Sequence, residues 1–277
     1  MIQPWNGAEP PAMPRPNILQ WLRLLYRTLC VVVATGVLLF FVLIFQLIEK
    51  AFPLGLAHRT VRLWARVCLF LSGVALQVHG EPMRHGGAVV PNHGSWLDIL
   101  TLFSAGDVHF VAKSEVAKWP VIGWLARQVG TLFIERRRSQ AGTHQGVLRK
   151  RLVDGVRLCF FPEGTSTDTL RVLPFRSTLF AAFLTDDLRD LMWVQPATVI
   201  YTAPKGQVSE FYGWWGDMEI GPHFVSVLAL SSGGQVDVYF HEPLKASDFA
   251  DRKALALHCE TQVRQEFERQ RTKTSAS

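Results

Sequence analysis

Residues 29–48 (LCVVVATGVLLFFVLIFQLI) form a run of twenty residues without a charge, and no other feature of the chain limits its fold as strongly. As a helix this run is about 30 Å long, which matches the hydrocarbon core of a bilayer. It exceeds the length of a signal-peptide core, and no small-x-small cleavage site follows it. It is therefore expected to persist as an anchor. Residues 1–17 hold five prolines and are expected to be a disordered tail. A shorter apolar run, 67–78, follows His58, Arg59, Arg62 and Arg66 and suits an interfacial or re-entrant helix. Arg15, Arg23 and Arg27 precede the long run, and Lys50, Arg59, Arg62 and Arg66 follow it. With cations on both sides, orientation stays undecided between a hairpin dipping into one leaflet and a single span.

Composition sharpens the choice of partner. The 277 residues are 48% hydrophobic, which excludes a disordered chain, and the net charge is +6. An oily, basic protein points to an anionic membrane surface, nucleic acid or an anionic metabolite. Cys30, Cys68, Cys159 and Cys259 include no C-x-x-C pair, so neither a zinc ribbon nor a disulfide framework is expected.

Beyond residue 78 short apolar runs alternate with helical patterns. Strands are expected at 88–91, 108–113, 131–136, 157–162, 194–201 and 236–241, and helices at 95–103, 120–129, 139–154, 175–183 and 249–271. This alternation predicts an α/β fold, a mixed and largely parallel sheet flanked by helices. The organisation expected is a tail (1–17), membrane-associated helices (18–77), a catalytic domain (78–271) and a polar tail (272–277). The stretch 211–217 (FYGWWGD) reads as a loop packed on the body or on lipid.

Three blocks carry chemistry. In AVVPNHGSWLDIL, Asn92 and His93 follow a buried strand, where open α/β sheets build their sites. A continuous helix would set His93 and Asp98 about 140° apart, at ~100° per residue. From a turn before the helix, however, the ring can fold back onto Asp98 and act as a base. The alternative is a plain capping pattern, with Ser95 as N-cap and Asp98 at the third helical position. No further ligand lies at metal spacing, so no metal is expected. The second block ends a strand in Glu135-Arg136-Arg137-Arg138, where Arg136 is the candidate for a directed role and the other arginines read equally as a solvated patch. The third, Phe160-Phe161-Pro162-Glu163-Gly164-Thr165, offers an acid, a glycine and a hydroxyl, either as an anion-binding turn or as an ordinary one. Arg176 adds a cation downstream. The chain has no G-x-S-x-G elbow, Walker A or Rossmann glycine motif, and basic and aromatic residues are not interleaved as in a nucleic-acid binder.

Read together, the blocks resemble the glycerolipid acyltransferase family, the group containing 1-acylglycerol-3-phosphate O-acyltransferases. The resemblance rests on His93 and Asp98 (H-x4-D), 133–136 (F-I-x-R), 161–165 (F-P-E-G-T), 194–200 around Pro196, and Lys113 in VAKSE. It implies a glycerol-3-phosphate acyltransferase-like fold with an N-terminal membrane-docking helix pair, at the cytoplasmic face of a bacterial inner membrane. It also implies transfer of a fatty acyl group from acyl carrier protein or coenzyme A to a lysolipid hydroxyl, without a further cofactor. His93 would be the base and Asp98 its orienter, Arg136 and Lys113 would hold the acceptor's phosphate, and Glu163, Gly164 and Thr165 would shape its site, with Arg176 in support. The acceptor implied first is 1-acylglycerol-3-phosphate. Ser166 stands where many members carry arginine, and the pattern T-S-x-D…LPFRS, with Trp215 to Glu219 and Pro222-His223, is similar to relatives acting on lyso-ornithine lipid. A non-enzymatic lipid-binding protein on the same fold is the reading from another class.

Overall fold

The computed structural model describes residues 5–52, 54–134 and 141–275. The first helix, α1 (Ile18–Glu49), starts at Asn17, whose side chain accepts from the Gln20 amide while the Gln20 side chain accepts from the Asn17 amide. Only Val42 of α1 is buried, so a helix about 48 Å long presents an apolar surface that no protein covers. Helix α2 (Leu56–Leu71) folds back along it: the Trp64 indole donates to Thr35 Oγ1 at 3.0 Å, and the Ala57 amide to Glu49 Oε1 at 3.1 Å.

The remaining chain builds an eight-stranded sheet. Strands β1 (Val74–His79), β2 (Gly87–Pro91), β3 (His109–Lys113), β4 (Leu132–Ile134), β5 (Arg157–Cys159), β6 (Trp193–Thr202), β7 (Gly234–Phe240) and β8 (Leu244–Lys245) lie in the order β1-β7-β6-β2-β5-β3-β4, with β8 beside β6. The run from β6 to β4 is parallel, β7 and β8 are antiparallel to β6, and β1 is parallel to β7. The largely parallel α/β sheet is thus the architecture expected. Both faces are covered. Val89 points into one core with Leu97, Leu102 and Val238, and Ala88 and Val90 point into the other with Leu158, Leu255 and Val263. Helices α3 (Leu97–Ala105), α4 (Ile122–Gln128), α5 (Ala141–Val153), α6 (Ile220–Leu230) and α7 (Arg252–Ser275) complete the domain. In α7 the buried Leu255, Cys259, Val263 and Phe267 recur every four residues and form the stripe that packs on the sheet.

Four arginines counted above as flanking charges of the membrane segment fasten the hairpin to this domain. Arg62 and Arg66 donate to the Ser104 and Ala105 carbonyls at the end of α3, and Arg23 and Arg27 to those of Leu228, Ala229 and Ser231 at the end of α6. Helix C-termini expose unpaired carbonyls and partial negative charge, so guanidinium groups suit both.

Some expectations need correction. The run 67–78 is not one helix: α2 stops at Leu71, and β1 begins at Val74. Between them Gly73 sits at φ +71°, where a Cβ would meet the Ser231 carbonyl oxygen at 2.6 Å. The helix expected over 175–183 is a 3-10 turn, Leu179–Phe183. Its leading amides are already engaged, that of Phe175 by Glu260 and that of Arg176 by the Pro162 carbonyl. Helix α4 begins two residues after Pro120, because Val121 lies at φ +63°. Helix α6 was not anticipated. The loop 211–217 does pack on the body, with Phe211, Tyr212 and Trp215 buried.

Gly73→Ala is expected to lower stability by about 1–3 kcal/mol, the usual cost of an L-residue held in a strained conformation. Denaturant unfolding followed by circular dichroism measures it.

Candidate active site

Strand β2 delivers its last residues to a parallel edge that β5 and β6 share, and the loops after β2 and β5 meet there. Asn92 fixes the exit of β2. Its side chain accepts the Val199 amide at 2.8 Å and donates to the Val199 carbonyl at 2.9 Å, continuing the pairing with β6 through a side chain. His93 therefore starts a turn whose position is set by the sheet.

From that turn the ring reaches Asp98, with Nδ1 2.7 Å from Oδ2. The same Oδ2 accepts the amides of Gly94 (2.9 Å) and Ser95 (3.0 Å), and Tyr201 donates its hydroxyl to Oδ1 at 2.7 Å. Asp98 is fully buried, so these four donors replace water around the carboxylate. Asp98 thus orients the histidine and also holds the Ser95 amide, but the capping pattern is displaced by one residue: α3 starts at Leu97 with Trp96 in the N-cap position, and Ser95 Oγ accepts the Leu97 amide at 3.2 Å. In the neutral tautomer that donates Nδ1–H to Asp98, Nε2 carries the lone pair. The His93 side chain keeps 17% exposure against none for Asp98, so the pair opens outward through the ring. Phe161 stacks on that ring at 3.9 Å between centroids and 15° between planes, which restrains its tilt.

Glu163 joins the loops. Oε1 accepts the His93 amide at 2.7 Å and Oε2 the Leu173 amide at 2.9 Å, while the Thr167 amide donates back to the His93 carbonyl at 3.0 Å. Burial pushes the Glu163 carboxyl up to about 8; the two amides pull against this, and nearby Asp98 adds to the rise. Gly164 sits at φ +79°, but its amide closes a turn onto the Phe161 carbonyl at 3.1 Å, so it is not free to hold an anion. Thr165 Oγ1 accepts the Trp5 amide at 3.3 Å, and the Trp5 ring lies under Arg171, 4.8 Å from its guanidinium carbon. Arg171 also pairs with buried Asp168 at 2.8 Å. The proline-rich stretch near the N-terminus thus makes defined contacts beside the third block.

The other candidates lie apart. Lys113 ends β3 at the same edge of the sheet, exposed and in register with Ile134. Arg136 lies outside the described residues. The exposed Arg176 lines a groove with Lys253, Leu257 and Glu260 of α7, while its amide donates to the Pro162 carbonyl. Sequence reasoning missed Tyr201, whose only signal was a hydroxyl at the end of a strand 103 residues from Asp98. It likewise missed how His223 acts: Nδ1 accepts the Trp96 indole proton at 2.9 Å and Nε2 faces the Phe211 carbonyl at 3.2 Å. Burial holds that imidazole down at about 4, so it stays neutral and ties α6 to the start of α3.

A family model described as Acyltransferase matches residues 75–197. A lyso-ornithine lipid O-acyltransferase from Rhodobacter capsulatus is 47% identical over 267 residues, covering 94% of this chain and 95% of that one. A 1-acyl-sn-glycerol-3-phosphate acyltransferase from Neisseria gonorrhoeae is 34% identical over 127 residues, 44% of this chain and 49% of its own. The crystal structure of the 1-acyl-sn-glycerophosphate acyltransferase from Thermotoga maritima is similar in fold, with a TM-score of 0.66 at 20% identity over 91% of this chain and 98% of that one.

Tyr201→Phe leaves Asp98 one donor short and is expected to cost about 1–2 kcal/mol of stability. A turnover assay should show kcat reduced about tenfold with KM unchanged, the equivalent of one hydrogen bond to the base's partner. For Glu163, a folded value near 8 lies above its ordinary 4.5. The stability gained from its proton is then complete below the unfolded value and is lost as pH rises through the folded one. Unfolding free energies measured across this pH window should show the advantage of the wild type over Glu163→Gln shrinking as pH increases.

Proposed function

The chain belongs to the acyltransferase family, and on that premise we propose that it moves a fatty acyl group from a thioester to the free hydroxyl of lyso-ornithine lipid at a membrane surface. The chemistry rests on one observation: His93 Nδ1 lies 2.7 Å from Asp98 Oδ2, and the ring is partly exposed while the carboxylate is not. Nε2 takes the proton of the acceptor hydroxyl as its oxygen bonds to the thioester carbonyl carbon. Asp98 stabilises the imidazolium that forms. The tetrahedral intermediate then collapses, the carbon–sulfur bond breaks, and the proton passes from Nε2 to the departing thiolate. The new ester and the free thiol balance the reaction without an acyl-enzyme. The thioester, on acyl carrier protein or coenzyme A, supplies the activated acyl group, so no further cofactor enters.

Two features favour lyso-ornithine lipid over 1-acylglycerol-3-phosphate. The likeness to the Rhodobacter enzyme runs nearly end to end, whereas that to the Neisseria enzyme spans less than half of either chain. Ser166 also leaves one cation fewer beside Thr165, which suits a carboxylate headgroup better than a phosphate. Lys113 and Arg136 are assigned to the headgroup, Glu163, Gly164 and Thr165 to the shape of its site, and Arg176 to a supporting charge. Helix α1 is assigned to the bilayer, with the domain at the cytoplasmic face of the inner membrane, where both thioester carriers are found.

Purified protein assayed with both acceptors in parallel is expected to acylate lyso-ornithine lipid with the higher kcat/KM. Equal or greater turnover of 1-acylglycerol-3-phosphate would reverse the assignment. His93→Ala should lower kcat by about 10²–10⁴-fold, the usual contribution of a general base, with folding intact by circular dichroism. Lipid binding without any thioester consumption would instead favour the non-enzymatic reading.

A further inference from the structure

We propose that the segment Trp119 to Trp124, the turn before α4 and the first residues of that helix, is a second lipid-docking element that inserts alongside α1. Within six residues it exposes Trp119, Val121, Ile122 and Trp124, with Val121 69% open. An apolar cluster of this density on one turn marks an interaction surface. The turn is rigid. The Gly123 amide donates to the Trp119 carbonyl at 2.9 Å and the Leu125 amide to that of Val121 at 2.8 Å, and the Arg127 guanidinium donates to the Ala117 carbonyl at 2.7 Å. A Cβ on Gly123 would meet the Ala117 carbonyl oxygen at 2.4 Å, so glycine there permits the tight approach. The amides of Trp119, Ile122, Gly123 and Leu125 are bonded within the segment, which lowers the cost of entering an apolar medium. Val121 is β-branched yet held at φ +63°, a strained conformation that the surrounding bonds impose.

The occupant follows from continuity and charge. Gln46, near the end of α1, donates to the Gln128 carbonyl at 2.6 Å, so α4, whose first residues carry the cluster, is fastened to α1 at its far end. Lys113, Lys118 and Arg127 flank it against the single acid Glu115. Tryptophans at the boundary, aliphatic side chains at the tip and a cationic rim match an anionic lipid interface. The turn also leaves the end of β3 that lies with the His93 loop. Insertion would therefore hold that edge of the sheet at the lipid surface, where the acceptor lies.

The proposal rests on α1 lying in lipid but not on the identity of the acceptor, and its test needs no turnover. The full chain with Cys30→Ser, its other cysteines being buried, carries Val121→Cys labelled with an environment-sensitive nitrobenzoxadiazole dye. In phosphatidylglycerol and phosphatidylethanolamine vesicles the label should shift to the blue, be quenched by spin-labelled lipid and resist aqueous iodide. Val33→Cys on α1 is the lipid-facing control, and Glu268→Cys on α7 the aqueous one. Shielding at 33 with iodide access at 121 would overturn the proposal and leave the attachment of α1 standing. Iodide access at both would remove the attachment and the proposal together. Shielding at 268 as well would mean indiscriminate burial and would equally overturn it. As a second arm, Val121→Asp should lower kcat/KM on vesicle-borne acceptor roughly tenfold while activity in detergent micelles persists. Equal loss in both media would count against it. Val121→Gly, which relieves the strained φ, keeps this arm informative if the aspartate fails to fold.

Discussion

A carboxylate without solvent access needs a full set of donors, and Asp98 obtains its set from two distant parts of the chain. The histidine ring and two amides come from the turn after β2, and the Tyr201 hydroxyl comes from the end of β6. Loss of any donor leaves charge uncompensated in a medium that penalises it strongly. The site therefore depends on the sheet being assembled: β6 must lie beside β2 before Tyr201 can reach across. Asn92 locks the same two strands one residue before the histidine. Catalytic geometry and core pairing are parts of one arrangement.

Glu163 extends this arrangement to β5. Each of its oxygens holds an amide of a different loop, so the His93 turn and the 163–173 loop cannot move independently. On the opposite side, arginines reach from the hairpin to the ends of α3 and α6. Helix α3 begins at the His93 turn and ends on Arg62 and Arg66, so one element links the candidate site to the N-terminal hairpin. On the proposed membrane placement, this linkage sets how the candidate site faces the bilayer.

Much of the fold was legible because apolar runs of strand length, closed by turn residues, leave few alternatives. Strands β2, β3, β6 and β7 were anticipated closely, and α7 by its apolar spacing. The failures have different causes. The apolar run across 67–78 reads as one helix until the Ser231 carbonyl claims the space beside Gly73. The 175–183 stretch has helical composition, but only Leu179–Phe183 coils, as a 3-10 turn, while the Phe175 and Arg176 amides bind Glu260 and the Pro162 carbonyl. Helix α6 is apolar on nearly every face, so it showed no periodicity against which to recognise it. In the site, the His93–Asp98 spacing was readable because both lie in one turn. Tyr201 was not, because nothing local marks a strand-end tyrosine as the partner of a residue 103 positions away.

The sequence alone determined the chemical inventory: an apolar helix of bilayer length, an imidazole with a nearby carboxylate after a buried strand, and an acid and a hydroxyl after another. These follow from side-chain type and short spacing, which the chain carries whatever its fold. Tertiary structure decided which groups meet. Strand order placed the loops of β2 and β5 together, turned Glu163 from a presumed substrate contact into a clamp on two backbones, and carried Arg176 to the side of α7. It also put the cations near the membrane segment onto helix ends rather than onto lipid. Such outcomes depend on contacts between residues seventy or more positions apart, and only the packing of the sheet and its helices sets those distances.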